Sequence, residues 1–588
     1  QKTMYDFMFD NNTLPVMRMT GDASDMSDVN KKVMRIQYSS PNTEKYGQPF
    51  DLPYCKVYFQ GTSSLAYVRK NYSIELYDDY MADYYYCPYP NGVEDRLFCL
   101  KADYMESSHA RNVGITRLIN EYFYDSKNPA QLKDSKVTNS IQGFPMLLYM
   151  NDEFLGVYNF NVDRYSAKSF GYTDEDTTLV YEISANSDTT AGAFFKYDKE
   201  NTSSTELDYY RQDFMCLYPP TRVAGNDNYA EIIKLVEWVD NASEEEFVDN
   251  LEQHFNKEYL IKYYIFANLF GAVDSLGKNM KLASWDGGNI WYLQMYDCDT
   301  TCGLDNTGFD KFASDIEIGD VNVYNTTSSK LWAKVGLYLL NEIKTVYADM
   351  RQKGLRYENI INCIVTNQID KIPATFYNKD TQTKYLDFGS TYLYAVHGND
   401  KQHMSLWLKD RLLYLDTLWD YDASTIDYVT VRSSKLGDIY MDIETFKNMY
   451  LKVKWRNDAT GASIQKLRIS KTKPTRFSFK SVTETDQEIL IYGGQYIKSL
   501  GDLTNLSPTT ISLNSATKIN NLICHSDKLI NVEVSACTNL QKIDLSNCTN
   551  LGTGTGASTV LDVTNCSELS YINIYNTSLQ GVETNSQG

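Results

Sequence analysis

The chain of 588 residues contains no run of roughly 18 apolar residues, so nothing in it reads as a membrane-spanning helix. Histidine is scarce, at five residues, which leaves little material for Ser-His-Asp or Cys-His nucleophilic schemes. No Cys-x2-Cys pair occurs among the eleven cysteines, and this argues against a structural zinc site. Cys298 and Cys302 flank Thr300-Thr301, but a single spacing of that kind specifies no metal. The scattered, odd-numbered set reads as buried free thiols. Positive charge is also short, with 56 Lys and Arg against 76 Asp and Glu and a net charge of -20. Clustered cations are what phosphate backbones and anionic lipids require, so neither nucleic acid nor an anionic membrane is expected as a general partner. The first residue is Gln1, with no basic segment or signal-type apolar core behind it, so the N terminus reads as a processed or trimmed end.

What is present describes a large globular chain. Hydrophobic residues make up 43% and charged residues 22%, enough to fold rather than stay disordered, and the length suits roughly two to four domains. The 48 tyrosines suggest wide amphipathic surfaces and strand faces.

The first 60 or so residues read as strands, in VMRIQY and YCKVYFQ, punctuated by Ser-Pro-Asn and Gly-Gln-Pro. The second run feeds Gln60-Gly61-Thr62-Ser63-Ser64, a glycine followed by hydroxyl residues whose backbone N–H groups could turn toward an anion. Lys70 opens the next strand, KNYSIELY, close enough to serve as a point charge on phosphate; a hairpin with a solvated lysine is the plainer alternative. LFCLKA is a further strand, and an amphipathic helix begins near Arg111, placing Arg111 and Asn112 at its start. GFPMLLYMNDEFLGVYNFNVDRY reads as a hairpin turning at Asn151-Asp152-Glu153. Helices follow from Tyr229, with Ser243 and Glu246 spaced for a capping box. From about residue 425 strands alternate again, and from about 503 leucine and cysteine recur at short fixed spacing, as in a solenoid whose coils bury each other. Cys524, Cys537, Cys548 and Cys566 are then inward ladder positions.

The densest chemistry lies between Tyr259 and Asn306. An apolar helix delivers Asp274, and Asn279 follows. Two short strands joined at Asp286-Gly287-Gly288 end in Asp297-Cys298-Asp299. Phosphoryl transfer calls for such a set: one carboxylate to orient the nucleophilic hydroxyl, and an amide oxygen with further carboxylates to hold Mg2+ against the phosphates. Asp-x4-Asn followed by a strand-end Asp is also the spacing protein kinases use. Aspartate, asparagine and glycine are equally the commonest turn residues, so spacing alone does not decide.

Several stretches taken together resemble one family, the CotH (spore coat protein H) atypical protein kinases. QGTSSLAYVRKNYSIEL resembles its glycine-serine strand pair, KADYMESSHARN its Lys-to-Arg-Asn helix start, and MNDEFLGVY its hairpin. GAVDSLGKN and YDCDTTCG resemble its catalytic and metal-binding stretches. The resemblance implies an α+β, two-lobed kinase-like domain over residues 1–420, with an N-lobe to about 165 and a helical C-lobe over about 229–420. A small β-rich domain (421–500) and a leucine-rich-repeat-like solenoid (501–588), with room to continue further, would follow. It implies ATP and Mg2+ as cofactors and transfer of the γ-phosphate to Ser or Thr of a protein. Asp274 would be the catalytic aspartate, and Lys70 would contact the phosphates. Gly61, Thr62 and Ser63 would form the phosphate loop, with Arg111 facing the cleft. Asn279, Asp297 and Asp299 would serve the metal, with the order of the two aspartates open. The sequence departs from the family where a hairpin glutamate is usual and Val162-Asp163 stand instead, where Tyr296 replaces a tryptophan, and where Gly-Ala-Val precedes Asp274. The modular arrangement is similar to proteins of gut Bacteroidales and their tailed phages, which implies an extracellular, cell-surface or virion setting and assembly through the solenoid and β domain. The alternative is a catalytically silent scaffold in a virion or host-attachment protein.

Overall fold

The structure is a computed structural model. It describes residues 14–585 apart from 62, 90–91, 123–135, 173–175, 184–193, 201–202, 220–228, 278, 306–307, 309, 316–328, 367–368, 389–399, 422–427, 447, 458–460 and 482–486. The fold is α+β, in two compact units. One takes the chain up to Tyr347 together with Ile360–Tyr421; the other takes Ala348–Asn359 and residues 422 onward. No helix among the described residues is long and apolar enough to cross a membrane.

In the first unit the N-terminal strands, expected as a β-rich lobe, close into a seven-stranded barrel. Its strands are β1 (Val16–Thr20), β2 (Lys32–Ser39), β3 (Phe50–Gln60), β4 (Asn71–Glu75), β5 (Leu97–Lys101), β6 (Gly143–Met150) and β7 (Glu153–Val162). The order is β1-β2-β3-β4-β5-β7-β6, and a parallel β1–β6 pairing shuts the seam. The interior is aromatic: Tyr38, Phe98 and Phe144 each meet Phe160 with ring centroids 5.1 to 5.7 Å apart in edge-on geometry. The tyrosine-rich alternation legible in the sequence is therefore largely barrel packing.

A second sheet, in the order β11-β10-β8-β9, joins β8 (Leu179–Ile183), β9 (Phe214–Tyr218), β10 (Met280–Ser284) and β11 (Tyr292–Met295), all antiparallel. The buried helix Lys257–Phe270 packs on β11. It begins at Asn256, whose side chain accepts from the Tyr259 N–H, and stops at Gly271, which takes the left-handed φ of 57° and lies where a Cβ would meet the Trp407 ring. The 3-10 turn Val273–Leu276 follows immediately, tied down by the Trp332 indole on the Leu276 carbonyl and the Tyr263 hydroxyl on the Ser275 carbonyl. The capping box at Ser243 and Glu246 is formed as the sequence indicates.

In the second unit the alternating strands and the leucine- and cysteine-bearing repeats run on without a break. The strand Pro508–Ser512 pairs with Tyr428–Ser433 on one side and with Asn531–Glu533 on the other, and a single hydrophobic cluster extends from Val429 to Cys566. Successive short repeats fall on different ladders: Asn521–Ile523 pairs in parallel with Lys542–Asp544, and Lys542–Asp544 with Tyr571–Asn573, while Val560–Asp562 pairs with Gly581–Glu583. Cys524, Cys537, Cys548 and Cys566 are buried ladder positions.

Candidate functional site

A small cleft of about 30 Å³, room for about two waters, opens between barrel strands and the β8–β11 sheet. Lys101, the last residue of β5, and Asp297, just past β11, both line it. Their charged ends lie 3.2 Å apart. Burial works against the Lys101 charge, but Asp297 and Asp299 outweigh it and hold the ammonium above its ordinary pKa. Asp299 has the opposite fate: burial, then the charge of Asp297, push its carboxyl up to about 8. Asp274 and Asp103 add to that push, so four carboxylates share one field with Lys101 as the nearest cation.

A second charged pair borders the cleft. Arg164 Nη1 lies 3.1 Å from Glu182 Oε1, and the Tyr296 hydroxyl donates to the same oxygen. Burial opposes the Arg164 charge, while Tyr296 and Glu182 more than restore it. Behind this pair sits Lys281 of β10, fully buried, with its Nζ donating to the Arg164 carbonyl and 3.7 Å from the Phe170 ring centroid. Burial pulls Lys281 down to about 7. Among the described residues, the Gln60 and Asn161 side-chain oxygens on the cleft wall, the Arg164 Nε and the second Glu182 oxygen are buried without a hydrogen-bond partner. A ligand that brings both donors and acceptors would satisfy them.

The aspartate segment is fixed from below. Asn112 Oδ1 accepts from the Cys298 N–H at 2.8 Å, so the residue between Asp297 and Asp299 is pinned to the start of the helix Arg111–Tyr122. Arg111 is wholly buried: its Nε donates to the Thr301 carbonyl at 3.1 Å and its Nη1 pairs with Glu106 at 3.2 Å. It was expected to face the cleft; instead it clamps the segment following Asp299, because the helix start points into protein rather than into the opening.

The other expected residues are distributed as follows. Asp274 is buried in its 3-10 turn, within the field that raises Asp299. Asn279 has a left-handed φ of 54° immediately before β10. Gly61 follows β3, and Ser63 opens the 3-10 turn Ser63–Ala66; Thr62 lies outside the described residues. Lys70 is not brought to the cleft lining: its Nζ donates to the Leu65 and Tyr67 carbonyls at 2.6 and 2.5 Å and so closes that turn. Asp163, near where a hairpin glutamate is usual, accepts from Ser73 Oγ and the Tyr165 N–H and is not itself among the residues lining the cleft. Sequence reasoning missed Lys101, Asn161, Arg164 and Glu182 as site residues. Lys101 had a signal, since it leads the KADYMESSHARN stretch; Glu182 had none, because only the sheet pairing brings β8 beside β10.

A divalent cation fits this donor set in kind: two carboxylates two residues apart, an amide nearby, and a repulsion between Asp297 and Asp299 that a cation would relieve. Among the described residues, no three His, Cys, Asp or Glu side chains already converge at ligand spacing.

A family model described as CotH kinase protein matches residues 57–415, more than half of the chain. No curated protein matches it.

Proposed function

The chain belongs to the CotH kinase protein family, and on that premise we propose that its cleft binds ATP and passes the γ-phosphate to a Ser or Thr hydroxyl of a protein. The observation that carries this reading is the Lys101–Asp297 pair in a cleft lined also by Arg164, with Asp299 acting on the same lysine through its charge. Lys101 and Arg164 are the two cations placed to neutralise phosphate oxygens, a task the sequence suggested for Lys70. Lys70 instead supports the turn after Gly61. Asp297 and Asp299, with Asn279, would hold Mg2+, which when bound supplies charge neutralisation for the phosphates. Asp274 is the residue assigned to accept the hydroxyl proton of the acceptor. The Glu182–Arg164 pair takes the orienting role that the absent hairpin glutamate leaves vacant. An extracellular, cell-surface or virion setting, with assembly through the second unit, belongs to the same proposal.

One observation favours the alternative, a silent scaffold of the same fold. Lys101 already neutralises Asp297, so a metal must displace an ion pair that is content without it.

Isothermal titration of ATP with Mg2+ tests the two readings, run on the wild type and on Asp297→Ala. Micromolar binding that disappears in the variant supports the kinase reading. Phosphate transfer to a protein acceptor that is lost in Asp274→Asn would then assign the base. No heat from the wild type would favour the scaffold.

A further inference from the structure

A buried polar chain runs from the helix Ala374–Phe388 to the aspartate segment of the cleft, and nothing in the phosphoryl-transfer reading uses its far end. Asp380 on that helix is fully buried. Its Oδ1 accepts from the Val157 N–H at 2.8 Å and pairs with Arg69 Nη1, and its Oδ2 lies 2.7 Å from His109 Nε2. His109 Nδ1 lies 3.6 Å from Asp103 Oδ2, longer than a hydrogen bond, so the link is carried by Asn159, whose Nδ2 donates to Asp103 and to the His109 carbonyl at 2.5 and 2.9 Å. Asn112 Nδ2 reaches Asp103 Oδ1 at 3.5 Å, while its own Oδ1 holds the Cys298 N–H.

Two further observations indicate that this chain is under constraint. Asp103 and His109, neither of them glycine, sit at φ of 43° and 53°, a left-handed backbone held only where its surroundings over-determine it. Gly156 in β7 has a φ of 143°, and a Cβ there would come within 2.4 Å of both Arg69 Nη1 and Asp380 Oδ1. The glycine of the LGVY hairpin is thus what lets Asp380 reach the barrel. The helix itself docks through Phe376, whose ring lies 5.9 Å from that of Phe154.

We infer that Asp380 is a positioning residue for the Asp297–Asp299 segment, acting through His109, Asn159, Asp103 and Asn112, so that docking of the Ala374–Phe388 helix sets the carboxylate geometry of the cleft. The inference rests on the kinase reading only for what the carboxylates bind. A helix that loosens would release the Cys298 amide and with it the spacing of the two aspartates. The helix is therefore a point at which the cleft can be controlled from outside.

The test is hydrogen exchange by mass spectrometry on the full chain, comparing the wild type with Asp380→Asn. Asparagine keeps the size and an acceptor for Val157 but presents a donor where His109 now finds a carboxylate oxygen. The expected result is exchange over residues 296–302 faster by roughly tenfold or more, with Mg2+·ATP affinity lower by about 10–100-fold, the usual effect of removing a group that orients a metal ligand. Faster exchange confined to 154–158 and 374–388, with 296–302 unchanged, would mean a local packing role and overturn the inference. If circular dichroism shows that Asp380→Asn does not fold, His109→Gln is measured in its place, with the same two outcomes. The exchange readout needs no nucleotide. A wild type that binds no ATP but shows the coupling would sink the kinase reading and leave this one standing; ATP binding with no coupling would do the reverse.

Discussion

Asn112 Oδ1 accepts the Cys298 N–H at 2.8 Å, although the two residues are 186 positions apart in the chain. This one bond places Asp297 and Asp299 on either side of a fixed point. It leaves Asp297 free to meet Lys101 from the barrel and Asp299 to be raised by its neighbours. The helix start in the Ser-x-x-Arg-Asn stretch thereby acts on the cleft through its asparagine, while its arginine is structural.

Lys101→Met should leave the fold intact and weaken Mg2+·ATP binding by about 10–100-fold, since hydrogen bonds to charged groups contribute about 1.5–3 kcal/mol. Titration calorimetry on the two proteins measures it. Affinity equal to the wild type would remove Lys101 from the phosphate site.

Arg111→Met separates two placements of that residue. A cleft-facing arginine would cost ligand affinity and little stability. The buried pair with Glu106 leads to the opposite expectation: a loss of about 3–5 kcal/mol in urea unfolding, because Glu106 keeps a charge in the interior without its partner. An unchanged urea midpoint would contradict the burial described for it.

In the second unit, Leu540 is fully buried in the hydrophobic cluster that the short repeats share, and Tyr575 is 75% exposed. Leu540→Ala should lower stability by about 2–5 kcal/mol, and Tyr575→Ala should stay within about 0.5 kcal/mol of the wild type. Denaturant unfolding of both variants decides whether the repeats share a core.

Much of this was legible in the sequence, for local reasons. The hairpin near Asn151, the capping box at Ser243 and the helix from Arg111 depend on neighbours within a few positions; the last two formed where the pattern placed them, and the hairpin turned on Asn151-Asp152 with Glu153 already in β7. The inward cysteines followed from repeat spacing alone. Barrel closure was not legible, because the β1–β6 pairing joins segments about 130 residues apart with no marker in either. Lys70 and Arg111 illustrate the same limit at the site: both are cations at the right spacing, and the structure turns one onto turn carbonyls and the other onto Glu106. Spacing reports which residues can meet along an element; it does not report which face the fold later covers. Glu182 and Arg164 entered the site through sheet order, which no local pattern encodes.

Asp213 gives a test of burial itself. It ends the helix Glu206–Asp213, is only 4% exposed, and its Oδ1 has no hydrogen-bond partner among the described residues. Burial pushes its carboxyl from 3.8 up to about 7. Between those values the native state holds a proton that the unfolded chain has released, so stability falls as pH rises from about 4 to about 7. Above the native value both states are ionised and the cost is complete, at most about 4 kcal/mol for a shift of this size at roughly 1.4 kcal/mol per pH unit. Below the unfolded value it vanishes. Carboxylates held low by partners, such as Asp51 beside Arg35 and Asp442 beside Arg476, drive stability the other way as pH falls, so the measurement must be a difference between proteins. Asp213→Asn removes the charge and keeps the shape. Its stability relative to the wild type should be near zero at pH 4 and rise by a few kcal/mol by pH 8, read from urea unfolding at a series of pH values. Parallel curves would mean that water or another group reaches Asp213 and that its carboxyl is not isolated.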